Sequence, residues 1–215
     1  MAIGKGVKRA PATQEANRKN RREFIVGEAA KLFARAGYQA ATMDELSAMT
    51  GLNKGTIYYY YKSKSDILYD MVISIANRSL TLAAPAVKME HAADSLAHVI
   101  EIMVRWIGEH RDAVRTYFQE SPYFDKIFSE EQNKAVRDQQ KLLMKIIYST
   151  LEKGHKSGEL IDFDVTVTGR LITGMLMWIY RWPEDELEVD RIIHSISTII
   201  LYGIAQVKVG DHAGK

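Results

Sequence analysis

The 215-residue sequence contains no cysteine. Disulfides and thiolate metal sites are thereby excluded, and a reducing cytoplasm is the compartment that fits. The N-terminus lacks a hydrophobic signal core. The most apolar stretch, Leu171 to Trp182, is broken only by Thr173, Gly174 and Arg181, yet it is too short to span a bilayer. No membrane partner is expected, and a helix so apolar all round requires cover on both sides. The six histidines form no His-Glu-x-x-His pattern, and neither a phosphate-cradling glycine loop nor a strand-borne nucleophile elbow occurs. An enzyme is therefore not expected, and no cofactor is implied. His91, Asp94 and His98 share a helix face at spacings that suit a metal, but a solvated surface cluster is the simpler reading. Internal repeats and low-complexity tracts are also absent.

What is present is distributed unevenly. Net charge is only +2, but residues 1–64 hold 12 Lys/Arg against 5 Asp/Glu, whereas the remainder holds 17 against 22. A basic end joined to an acidic remainder is the electrostatic footprint of a chain that meets nucleic acid at one end only. The first residues, with Lys5, Lys8, Arg9, Pro11, Arg18 and Lys19, read as a flexible basic arm over 1–19 that runs into a helix near Arg21 and Arg22. Two readings of that arm stand: a tail touching phosphates or the minor groove, and a leader adding only diffuse charge.

Residues 42–64 read as two short helices joined by a glycine turn, the grammar of a helix-turn-helix DNA reader. Thr42 is placed to cap the first helix, with Glu45 reaching back to it, and Leu46 and Met49 supply its apolar face. Gly51 makes the turn and Asn53 caps the second helix. Ile57 and Tyr61, four residues apart, share that helix's inner face. Each residue turns the helix by about 100 degrees, so the four consecutive tyrosines have different jobs. Tyr61 plugs the small core, and Tyr59 points outward with Lys54, Gly55 and Thr56 toward a groove. Tyr58 and Tyr60 flank that ridge, their hydroxyls set for phosphate oxygens. Ser63 caps the following helix, with Asp66 at its N3 position, and Lys64 is placed beside the phosphates. A plain helical hairpin with a tyrosine-rich face is the competing account.

Beyond residue 68 the apolar spacing is helical throughout, and the fold class is all-α. Helices are expected over 64–82, 92–109, 112–120, 128–155, 164–182 and 187–207, separated by Ala84-Pro85, His110-Arg111, Ser121-Pro122, Gly154 to Gly158 and Trp182-Pro183. The last helix carries Val189, Ile192, Ile193, Ile196, Ile199, Ile200, Gly203 and Ile204, a wide apolar face. Met103, Trp106, Tyr117, Phe118, Met144, Tyr148, Met175 and Trp178 form an aromatic and methionine inventory over four helices. It suits either the lining of an adaptable apolar cavity or ordinary core.

Phe24, Ala29, Ala30, Leu32, Phe33, Gly37, Tyr38, Thr42 and Gly51, followed by the run from Gly55 to Lys64, resemble the DNA-binding segment of the tetracycline-repressor family. The resemblance covers roughly residues 20 to 68. Tyr60 stands where that family usually has histidine and Tyr61 where it has phenylalanine, and both keep the inferred roles. The resemblance implies a two-domain homodimer that binds double-stranded DNA at a palindromic operator as a transcriptional repressor and is released by a small-molecule effector. A DNA-binding domain over 20–68 and a ligand-binding and dimerisation domain over 69–215 follow from it. Its DNA-facing residues would be Thr42, Asn53, Lys54, Gly55, Thr56, Tyr58, Tyr59, Tyr60 and Lys64. Dimerisation through the last two helices is implied, with Gly174 and Gly203 permitting close approach; the alternative is that this face is monomer core. Tyr117 to Glu120, Arg137 to Gln140 and Trp178 to Trp182 further resemble regulators that answer to acyl-coenzyme A thioesters. By that resemblance Trp106, Phe118, Tyr148 and Trp178 would hold an apolar tail and Arg181 an anionic head group. Pairing of Arg181 with Glu184 or Asp185 is the competing account. A ligand-independent regulator and, more remotely, a metal- or substrate-binding helical bundle remain as alternative functions.

Overall fold

The computed structural model describes residues 11–182 and 188–204, and among them every regular element is helical. The chain divides into two compact units, Met1–Met71 and Val72–Lys215.

In the first unit, α1 spans Pro11–Ala36. Proline at a first helical position leaves no amide unsatisfied and presets the backbone, so the helix begins well before Arg21. Arg18 and Lys19 are consequently helical, and the expected arm over 1–19 is corrected for residues 11–19; residues 1–10 lie outside the described ones. Gly37, at φ 82°, turns the chain after α1 in a region that favours glycine. The next helices are α2, Met43–Thr50, and α3, Lys54–Tyr60; α4, Lys64–Ala83, begins in this unit. Ile25, Ala29, Leu32 and Phe33 of α1 share a buried core with Leu46, Ile57, Ile67 and Leu68. Tyr38 closes it, its ring edge-on to Phe33 at 5.3 Å.

The second unit is built around α5, Ala92–Glu109, which packs against α6, Arg111–Glu120, α8, Glu130–Ser157, α9, Val165–Trp178, and α10, Val189–Ile204. Leu96, Val99, Ile100, Met103 and Ile107 supply α5's share of the core. The helix expected over 128–155 is α8, opened by Ser129 with a reciprocal cap involving Gln132, and a short α7, Phe124–Ile127, precedes it. Gly169 is required by packing, because a Cβ there would stand 2.5 Å from Tyr148 Cε1 where α9 crosses α8. The N-terminus of α5 takes its cap from a distance. Glu159 accepts the Ala92 amide at 2.7 Å and contacts His91 Nδ1 at 3.2 Å, since His91 itself makes no side-chain cap.

The structure decides which apolar stripe of each late helix faces inward. On α10, Ile192, Ile196 and Ile200 are buried in the same core as α5, and Ile199 and Tyr202 are exposed. The expected external role of Ile192, Ile196 and Ile200 is therefore corrected: they are core residues of the chain itself. On α9, Ile172 and Leu176, with Ile179 beyond, point inward, and Val167, Leu171, Met175 and Trp178 point outward. Among the described residues a Cβ at Gly174 or Gly203 would meet nothing within 4 Å, so no packing shown there demands either glycine. The end of the helix expected over 187–207 lies outside the described residues.

Candidate nucleic-acid interface

The reading head is assembled from short-range bonds. Thr42 and Glu45 form a capping box at the start of α2: the Glu45 amide donates to Thr42 Oγ1 at 3.2 Å, and the Thr42 amide donates to Glu45 Oε2 at 2.8 Å. Hydrogen bonds from the Thr42 hydroxyl and amide hold the Glu45 carboxyl below the ordinary range. Gly51, at φ 65°, ends α2 in the left-handed region. Asn53 Oδ1 accepts from the Thr56 amide at 2.7 Å and from the Thr56 hydroxyl at 2.9 Å, which fixes the first turn of α3.

The tyrosines separate as the helical phase requires. Tyr61 is buried with Ile57, whereas Tyr59 is 74 % exposed and Tyr58 is also exposed. Tyr60 is half-buried and packs edge-on against Tyr59 at 5.1 Å. Lys54 and Gly55 are exposed on the same outer surface. Lys54 Nζ lies 2.8 Å from Asp44 Oδ1, an exposed pair that raises the lysine pKa mainly through that hydrogen bond and that a phosphate would compete for. Asp44 went unnoticed in the sequence because its partner is ten residues away across the turn.

Behind the tyrosine ridge, the Tyr61 hydroxyl donates to Asp70, and Arg22 donates to the same carboxylate at 2.9 Å. The Arg22 guanidinium also lies 4.6 Å from the centre of the Tyr61 ring. Burial, then the bond to Asp70, pushes the Tyr61 hydroxyl far above its ordinary value, so it remains a donor. Here the tyrosine supplies both an aromatic plug and a polar tie between α1 and α4.

Lys64 departs from expectation. Its ammonium donates to the carbonyls of Tyr38, Gln39 and Ala41 at 2.5, 3.0 and 2.8 Å, and it lies 4.5 Å from the centre of the Tyr38 ring. An ammonium has three donors, and all three are committed to backbone acceptors. The Lys64 ammonium, expected beside a phosphate, is engaged here with the loop that follows α1.

The expected effector residues do not form one set. Trp106 is buried, stacked on His110 at 5.0 Å, with its Nε1–H unpartnered among the described residues. Phe118 stacks on Tyr180 at 4.9 Å, and Tyr148 lies against Gly169. Trp178, by contrast, is 58 % exposed, with the exposed Arg181 guanidinium over its ring at 4.5 Å. Helical phase puts both on the outer side of the bundle, so Trp178 is corrected from chamber lining to surface residue, and Arg181 from chamber mouth to a cation over that surface ring. Glu184 and Asp185 lie outside the described residues. The His91–Asp94–His98 cluster is also dispersed: His91 meets Glu159, and His98 Nε2 lies 3.3 Å from the Leu82 carbonyl.

No described helix is long and apolar enough to cross a membrane. Residues 25–71 match the family model of bacterial regulatory proteins of the tetR family, and residues 89–204 match the tetracyclin repressor-like C-terminal domain. The transcriptional repressor KstR2 of Mycolicibacterium smegmatis is 26 % identical over 205 residues, covering 90 % of this chain and 95 % of the relative. The structure of the ketosteroid regulator KstR2 of Mycobacterium tuberculosis superposes with a TM-score of 0.79 at 20 % identity, over 87 % of this chain and 96 % of that one. AibR, solved with isovaleryl coenzyme A and operator DNA, gives 0.73 at 17 % identity over 83 % and 97 % of the two chains. FadR of Bacillus subtilis, solved with stearoyl-CoA, gives 0.66 at 21 % identity over 85 % and 98 %. With one model covering more than half the sequence and the other its helix-turn-helix, the chain belongs to the tetracycline-repressor family of helix-turn-helix DNA-binding transcriptional regulators.

Proposed function

We propose that the protein is a homodimeric repressor that reads a palindromic operator with α3 and is released by an amphipathic acyl thioester. One observation carries the DNA assignment: α3 turns Ile57 inward and offers Tyr58 and Tyr59 outward. Tyr59 then meets base edges with Lys54, Gly55 and Thr56, while Tyr58 and Tyr60 reach phosphate oxygens. Thr42 and Asn53 act by presenting capped helix N-termini to the backbone. Tyr59→Ala should lower discrimination between operator and random duplex by about 1 to 3 kcal/mol while sparing non-specific affinity. Equal losses on the two duplexes would make Tyr59 a phosphate contact.

Two such heads read successive major grooves when they stand about 34 to 36 Å apart. The pairing surface proposed here is the outward stripe of α9 with Ile199 and Tyr202 of α10, since Leu171 alone is 67 % exposed. Leu171→Asp should yield monomers that no longer hold a palindromic operator, and a dimer persisting in sedimentation would move the interface elsewhere.

The effector assignment draws on AibR and FadR, each solved with an acyl-coenzyme A. In this chain Trp106, Phe118 and Tyr148 would supply the apolar interior, and the indole N–H of Trp106, without a partner among the described residues, suits an effector oxygen. Long-chain acyl thioesters, free acids and coenzyme A alone, titrated against a fluorescent operator duplex, test this. Release by thioesters, weakened in Trp106→Phe, is expected; DNA retained by the wild type in all three titrations would leave a repressor with another effector or none.

A further inference from the structure

The first turns of α2 and α3 meet through a pair of opposite charges. Lys54 Nζ lies 2.8 Å from Asp44 Oδ1 and 2.9 Å from Oδ2, and both residues are exposed. An exposed pair of this kind adds little to folding. On a surface that meets DNA it also has an electrostatic cost, because the carboxylate repels phosphates and offsets the only basic residue of α3. A surface built solely to attract phosphate would leave Lys54 unopposed. The neighbouring Glu45 is accounted for by the capping box, whereas Asp44 faces Lys54. The dipole of α2 favours an acid in its first turn, but it does not require that acid to meet α3.

An ammonium has three donors and a carboxylate about four acceptor sites, so the contact between them leaves both with unused capacity. The pair therefore presents donors beside acceptors on one exposed surface. The major-groove edge of a G·C pair is the complement: guanine N7 and O6 accept, and the adjacent cytosine N4 amine donates. An A·T edge instead runs acceptor, donor, acceptor and ends in a methyl group. We propose that Asp44 is a specificity-determining residue, and that Asp44 and Lys54 read one G·C pair of each operator half-site as a unit. Lys54 donates to guanine O6 and N7, and Asp44 accepts from cytosine N4. The inference rests on the proposed DNA reading by α3. On other sequences the carboxylate meets acceptors or phosphates and is repelled, and it keeps Lys54 from serving as a sequence-independent phosphate contact. Asp44 thus lowers affinity for random DNA as well as raising it for the operator.

The full-length protein first selects its operator from a pool of random duplexes. Wild type, Asp44→Asn, Lys54→Met and the double variant are then compared on that operator, on operators with single base-pair changes and on a random duplex, across a salt series, with helix content checked by circular dichroism. The wild type should lose roughly ten- to a hundredfold when the G·C pair of a half-site becomes A·T. Asp44→Asn should shrink that penalty to within about threefold, tighten binding to the random duplex and steepen the slope of log affinity against log salt by about one unit per reading head, as Lys54 turns to a phosphate. Lys54→Met should abolish the same preference. The double variant should lose no more discrimination than either single one, because the two side chains act together. A preference that survives in Asp44→Asn but vanishes in Lys54→Met would overturn the proposal, leaving the lysine to read the base alone. An operator in which no G·C position responds to either variant would overturn it outright. If Lys54→Met does not fold, Asp44→Asn decides; if the wild type selects no operator, the DNA reading itself fails and takes the paired readout with it.

Discussion

The two units are held together by different chemistry. The first is a small assembly of short helices whose geometry depends on polar ties: the Thr42–Glu45 and Asn53–Thr56 caps, the Lys64 carbonyl cluster and the Arg22–Asp70–Tyr61 set. The second is a bundle whose geometry depends on apolar burial around α5. The reading head has a core of its own, with Phe33, Leu46, Ile57 and Leu68 fully buried, and directional bonds between its short helices add to packing in setting their angles. A bundle of long helices is positioned by packing, and its polar contacts, such as Glu159 on α5, act at the ends.

The difference can be broken from the bundle side first. Ile100→Ala removes a side chain that is fully buried in α5 and should cost about 2 to 5 kcal/mol in denaturant unfolding. DNA affinity per folded molecule should change little, and an equal loss of both would show that the reading head depends on the bundle core. Gly169→Ala places a Cβ against Tyr148 and should cost about 1 to 3 kcal/mol. In a Tyr148→Ala background that cost should shrink, and undiminished cost would locate the conflict elsewhere.

Polar ties in the reading head should give smaller effects. Tyr61→Phe installs the family's usual aromatic ring and deletes the bond to Asp70, so about 1 kcal/mol should be lost. Thermal unfolding checks this, and a variant more stable than wild type would show that the buried hydroxyl is a burden. The smallest effect is expected at His91, which is exposed. Its pKa is raised by the hydrogen bond and charge of Glu159 from an ordinary 6.5, so its contribution is present below that value and is lost as pH rises through the folded pKa. The Glu159 carboxyl is lowered by His91 and by the Ala92 amide from an ordinary 4.5, so its contribution appears above that value and is lost as pH falls through the folded pKa. His91→Gln should therefore lower the melting temperature slightly between about pH 4.5 and 6.5 and hardly at all at pH 9. A pH-independent change would mean that the imidazole acts by packing.

What the sequence by itself determined is local. The Thr42 box, the Gly51 turn, the Asn53 cap, the Ile57 and Tyr61 inner face and the spans of α4 and α5 depend on residues at most four or five apart, so their spacing alone specifies them. Periodicity gives only the relative phase of side chains, and where a helix is apolar all round two phases compete. On α9 the stripes Leu171, Met175, Trp178 and Ile172, Leu176, Ile179 differ by one residue, and only the presence of neighbouring helices on one side made the second the core. The same applies to Ile200 against Ile199 on α10. Lys64 and its carbonyls are separated by 23 to 26 residues, and Tyr61, Arg22 and Asp70 come from three segments. Such partners have no spacing rule, because they meet only when burial has already brought the helices together; tertiary structure decided them.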